Sequence, residues 1–74
     1  MHILLNKSLR TTDKKIILQK NNLFEVLREN SLDYQISIEN KIYFIYKQDV
    51  TIANENDPNI KRRILMLQMK YEEE

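Results

Sequence analysis

Residues 34–46, YQISIENKIYFIY, constrain the fold more than any other stretch. Tyr34, Ile36 and Ile38 alternate with Gln35, Ser37 and Glu39, and Ile42, Phe44 and Tyr46 alternate with Tyr43, Ile45 and Lys47. A period of two belongs to a strand with one buried face, and two such runs around a polar centre predict a β-hairpin. A three-residue loop over Glu39, Asn40 and Lys41 sets Ile38 opposite Ile42, Ile36 opposite Phe44 and Tyr34 opposite Tyr46, which gathers all six on one side. A two-residue loop sends the second set to the other face. The three-residue loop is the expectation, with Asn40 in the left-handed conformation that such loops need.

Residues 60–71 admit two readings. Asp57-Pro58 has the form of an N-cap and first helical residue, and Leu, Met, Arg, Lys and Gln favour helix. Against this, Lys61, Arg62 and Arg63 would crowd the positive end of a helix dipole and Glu72, Glu73 and Glu74 its negative end. In a strand, Tyr71, Met69 and Leu67 would meet Ile42, Phe44 and Tyr46 on the face already chosen. The expectation is a third strand completing a meander.

Upstream, the clusters Ile3-Leu4-Leu5 and Ile16-Ile17-Leu18 read as strands, the second favoured by its β-branched residues. Asn22 to Asn30 reads as the helix of the domain. Asn22 stands as its cap, Glu25 follows three residues on, and Leu23, Val26 and Leu27 form an apolar stripe with Phe24 at its edge. Residues 47–53 can extend the second hairpin strand, and NENDPN is a loop. The fold class is thus α+β: one domain over residues 1–74, a small antiparallel sheet with a three-stranded C-terminal meander and one or two N-terminal strands, packed on one short helix.

At 74 residues the core lies near the lower limit for independent stability. Without cysteine, and with His2 the only soft ligand, neither a disulfide nor a structural zinc can staple it. Association with a second chain is the remaining common device, so a homodimer is the physical expectation. Glycine is absent, which removes phosphate-cradling loops, dinucleotide fingerprints and nucleophile elbows. A Ser-His-Asp arrangement would have to use His2 at a chain end. The chain reads as a non-enzyme with no cofactor and no metal.

Twelve basic against eleven acidic residues create no global field toward nucleic acid or anionic lipid. No apolar run approaches a membrane span and none resembles a secretory signal, so a cytoplasmic protein without membrane contact is expected. Heavy use of Ile, Asn and Lys fits an AT-rich coding sequence, such as that of a low-GC bacterium or its phages and plasmids. Two binding surfaces follow from the expected register. Tyr43, Ile45 and Met66 would form an apolar patch on the outer sheet face, suited to an unidentified protein partner. Lys47, Lys61, Arg62, Arg63 and Lys70 would form a basic patch beside Tyr43 for nucleic acid. The leading expectation is a protein-interaction module, a small phage or mobile-element regulator or inhibitor acting through a sheet face or edge, and the alternative is a nucleic-acid-binding protein.

Overall fold

The computed structural model describes residues 1–11 and 13–72, with side chains described to residue 69. Eight short strands precede one helix: β1 (His2–Leu5), β2 (Leu9–Arg10), β3 (Ile17–Leu18), β4 (Leu23–Glu25), β5 (Arg28–Glu29), β6 (Asp33–Ile38), β7 (Lys41–Tyr46), β8 (Val50–Ile52) and α1 (Pro58–Glu72). A 3₁₀ turn at Lys47–Asp49 separates β7 from β8. All pairings are antiparallel, in three sheets ordered β4-β1-β8, β2-β3 and β5-β6-β7. The α+β class holds, and a three-stranded meander is present as β5-β6-β7, its third strand being Arg28–Glu29 in place of residues 60–71.

One ribbon joins the two larger sheets. Between β4 and β5, Val26 N–H donates to Met1 O and Leu27 N–H to Gln35 O. The chain therefore leaves β1 and takes up β6 without a break in its hydrogen bonding. With the 3₁₀ turn carrying β7 into β8, the two sheets share one core. That core is Ile3, Leu5, Leu18, Tyr34, Ile36, Tyr43 and Ile45, with Phe24, Val26, Ile38 and Val50 at its margin. Alternation along β1 turns Leu4 to the other side, where α1 lays Ile60, Ile64 and Leu67 against Leu4, Leu23 and Ala53. Ile60, Ile64 and Leu67 recur at helical spacing, the signature of a helix with one packed stripe.

Three expectations are corrected. The hairpin loop has two residues: Ile38 pairs with Lys41, Ile36 with Tyr43 and Tyr34 with Ile45. Glu39 and Asn40 both have positive φ, 51° and 67°, the primed geometry whose twist matches that of the flanking strands. Tyr43 and Ile45 thus join the core, and Ile42, Phe44 and Tyr46 face outward.

The second correction concerns residues 22–30, which form strands β4 and β5 and no helix. Asn22 Oδ1 accepts from Gln19 N–H at 2.9 Å, and Asn21 adopts φ 71°. Asn22 therefore closes a turn instead of capping a helix. A nine-residue helix would also carry the full cost of nucleation, whereas β4 hydrogen-bonds along β1, pairing Ile3 with Phe24.

The third is residues 60–71, which lie in α1 and pair with no strand. Asp57 Oδ1 accepts from Asn59 N–H at 2.8 Å, and Asp57 O accepts from Lys61 N–H at 2.9 Å. That is an aspartate N-cap with proline in the first turn. Unfavourable charges near a helix end cost about 0.3–1 kcal/mol when exposed. Burying Ile60 and half-burying Ile64 and Leu67 outweighs that, at about 1.5–3 kcal/mol for each fully buried chain.

Candidate protein interface

The two-residue turn fixes which backbone groups of β7 are free. With Ile38 and Lys41 flanking it, the reciprocally bonded pairs are 38–41, 36–43 and 34–45. The series continues where Lys47 N–H donates to Leu32 O at 2.9 Å. The N–H and C=O groups of Ile42, Phe44 and Tyr46 consequently point away from β6. Strand β7 is the edge of its sheet, and among the described residues these groups have no backbone partner. Their side chains are 48, 57 and 60 % exposed. Free backbone and an exposed apolar row therefore fall on the same three residues. Edge strands of this kind are ready templates for another strand.

Polar neighbours frame the row. Across β6, Ile42 faces Ser37, Phe44 faces Gln35 and Tyr46 faces Asp33, and Gln35 in turn pairs with Arg28. Asp33 accepts from the Asn30 amide at 2.7 Å, bracing the β5–β6 turn. Beyond Tyr46, Lys47 Nζ lies 2.7 Å from Glu29 Oε2 and 5.3 Å from the centre of the Tyr34 ring. The Glu29 hydrogen bond holds the Lys47 ammonium above its usual pKa, partial burial opposing. At the turn end, Tyr43 O–H reaches Asp13 Oδ2 at 3.1 Å, tying the β2–β3 loop to the strand.

The residues expected to form an apolar patch do not meet. Tyr43 and Ile45 are core, and Met66 is exposed on α1 beside Leu65 and Met69. The basic residues are likewise divided between elements. Lys61 and Arg62 are exposed in the first turns of α1, while Arg63 Nη2 donates to Asn21 O at 2.6 Å. Lys47 is spent on Glu29, and the side chain of Lys70 lies outside the described residues. Tyr43, the aromatic expected among these cations, is buried.

Elsewhere, a groove of about 380 Å³ runs between β4 and α1, lined by Asn22, Leu23, Phe24, Arg63, Met66 and Leu67. His2 Nδ1 sits 2.5 Å from Glu55 Oε1. This contact holds the Glu55 carboxyl below its ordinary pKa and links β1 to the loop before α1. Among the described residues no three His, Cys, Asp or Glu converge as metal ligands. Among the described residues no helix is long and apolar enough to cross a membrane. Ile42, Phe44 and Tyr46, expected in the core, are exposed, and the sequence holds little signal for this: Asn40 tolerates the positive φ of a two-residue primed turn, but Glu39 is not a residue that such turns favour.

No family model, no curated protein and no solved structure matches this chain.

Proposed function

We propose that this chain is a non-catalytic protein-interaction module, a small regulator or inhibitor that acts by adding a strand of its protein partner to β7. The observation that carries the reading is the coincidence of outward backbone groups with exposed side chains at Ile42, Phe44 and Tyr46. In strand addition, main-chain hydrogen bonds supply affinity and alternate side chains supply selectivity. Here both lie on one ribbon, braced from behind by the buried Tyr34, Ile36, Tyr43 and Ile45.

The nucleic-acid alternative draws less support. Of its five cations, Lys47 is paired with Glu29 on the hairpin side of the molecule, while Lys61, Arg62 and Arg63 lie on α1 with Arg63 turned to the Asn21 carbonyl, so they do not form the single basic surface that the reading requires.

Affinity capture from the source cell, with the wild type, Phe44→Asp and the double variant Arg62→Ala/Arg63→Ala compared, separates the two. A protein retained through moderate salt by the wild type and by the arginine variant, and lost with Phe44→Asp, supports the module. Retention that is nuclease-sensitive, falls steeply with salt and disappears with the arginine variant contradicts it.

A further inference from the structure

We infer that the strand received by β7 is β7 of a second copy, forming a two-fold dimer centred on Phe44; this deepens the interaction reading above and rests on it. The outward-facing groups belong to residues 42, 44 and 46, a set symmetric about its middle member. Antiparallel pairing about an axis at Phe44 sets Phe44 against the partner's Phe44, Ile42 against the partner's Tyr46 and Tyr46 against the partner's Ile42. Every pair is then reciprocally hydrogen-bonded, and no outward group of the three is left over. On the exposed face the same register stacks phenylalanine on phenylalanine and isoleucine on tyrosine, favourable cross-strand pairs. A two-fold interface requires that residue i meet j while j meets i, and this ribbon satisfies the condition with itself. The two β5-β6-β7 sheets become one six-stranded sheet, which pairs both β7 edges and leaves the two-residue β5 at each end.

Area and charge set the character of the dimer. Aromatic side chains bury about 150–250 Å² each, so the exposed half of this row amounts to roughly 300 Å² per protomer. A standard interface buries about 800 Å² per partner; the dimer is therefore in weak, concentration-dependent exchange with monomer. At the ends of the pairing, Lys41 lies opposite the partner's Lys47. Because Lys47 is already drawn to Glu29 in its own protomer, that repulsion is damped, and the remainder weakens as salt rises. Dimerisation is consequently maintained or strengthened by salt.

Sedimentation of the full chain over a concentration series tests this directly. The mass should climb from the 9.0 kDa of the single chain toward twice that value, with at least a tenfold weaker constant for Phe44→Lys and for Phe44→Glu. Because residue 44 meets itself, mixing those two variants should restore a heterodimer. A covalent readout is available because the chain has no cysteine. Cα atoms of a reciprocally bonded antiparallel pair lie about 5.5 Å apart, within disulfide reach. Phe44→Cys should therefore oxidise to a dimer much faster than Leu32→Cys, although Leu32 is 74 % exposed. A wild type that stays at single-chain mass, with Phe44→Cys no faster than Leu32→Cys, overturns the second-copy assignment. If Phe44→Asp still loses its captured protein in that case, the interaction reading survives; if capture is also unchanged, both fall.

Discussion

Tyr43 donates its phenolic hydrogen to Asp13 Oδ2 across thirty residues of sequence, at 3.1 Å. The same carboxylate accepts from the Thr11 hydroxyl at 2.5 Å and the Lys15 N–H at 3.1 Å. One side chain therefore organises the β2–β3 loop and anchors it to β7. Buried polar groups need partners, and with Asp13 in place the ring of Tyr43 can enter the core while its hydroxyl stays satisfied.

This anchor has a pH signature at each end of the scale. Hydrogen bonds, first that from Thr11, hold the Asp13 carboxyl below its ordinary 3.8. A depressed carboxylate contributes stability above its unfolded pKa and loses that contribution as pH falls through the folded value. Urea unfolding of Asp13→Asn should therefore show a shallower fall in stability below pH 3.8 than the wild type. Burial, then the Asp13 contact, pushes the Tyr43 phenol above 10.0. Its contribution is fully present below pH 10.0 and lost as pH rises through the raised value, so Tyr43→Phe should flatten the alkaline limb.

The cap of α1 is separable from its packing. Asp57→Ala removes the acceptor of the Asn59 N–H and should destabilise the protein by about 0.5–2 kcal/mol, measured by denaturant unfolding. Asp57→Asn should recover most of the loss.

The hairpin turn stores conformational cost. Glu39 and Asn40 are non-glycine residues at φ 51° and 67°, and left-handed backbone costs about 1–2 kcal/mol per ordinary residue. Replacing the pair with the preferred Asn-Gly, by Glu39→Asn/Asn40→Gly, should raise stability by about 1 kcal/mol, read as a higher Tm.

What the residues disclosed and what they withheld follows from the range of the forces involved. Strand character at Ile3–Leu5, Ile17–Leu18 and 34–46 was legible, because β-branching and alternation act locally. Asn22 was not, since capping a helix and closing a turn onto Gln19 demand the same side chain; β1, twenty residues upstream, decides between them. For residues 60–71 the Asp57-Pro58 cap and the charges of Lys61–Arg63 point in opposite directions, and the cap prevails with the packed stripe of Ile60, Ile64 and Leu67 because exposed charges are the weaker influence. The candidate interface was inverted for one reason: two runs of equal hydrophobicity cannot reveal which is inside. A two-residue turn and the hydrogen bond to Asp13 select Tyr43 and Ile45.

That inversion predicts opposite responses for neighbouring residues. Ile36 is fully buried, so Ile36→Ala should cost about 2–5 kcal/mol through lost transfer energy and a cavity. Ile42 is 48 % exposed, and Ile42→Ala should change monomer stability by less than about 0.5 kcal/mol. Unfolding measured in dilute solution makes the comparison without the dimer contributing.

The outward placement of Ile42, Phe44 and Tyr46 is the premise of both the proposed function and the dimer, and NMR contacts between α-protons across the hairpin test it most directly. Residues facing each other without mutual hydrogen bonds bring their Cα atoms to about 4.5 Å. Strong cross-peaks between Gln35 and Phe44 and between Ser37 and Ile42 are the predicted result. Cross-peaks placing Ile36 opposite Phe44 and Ile38 opposite Ile42 would turn the row into the core and contradict the account.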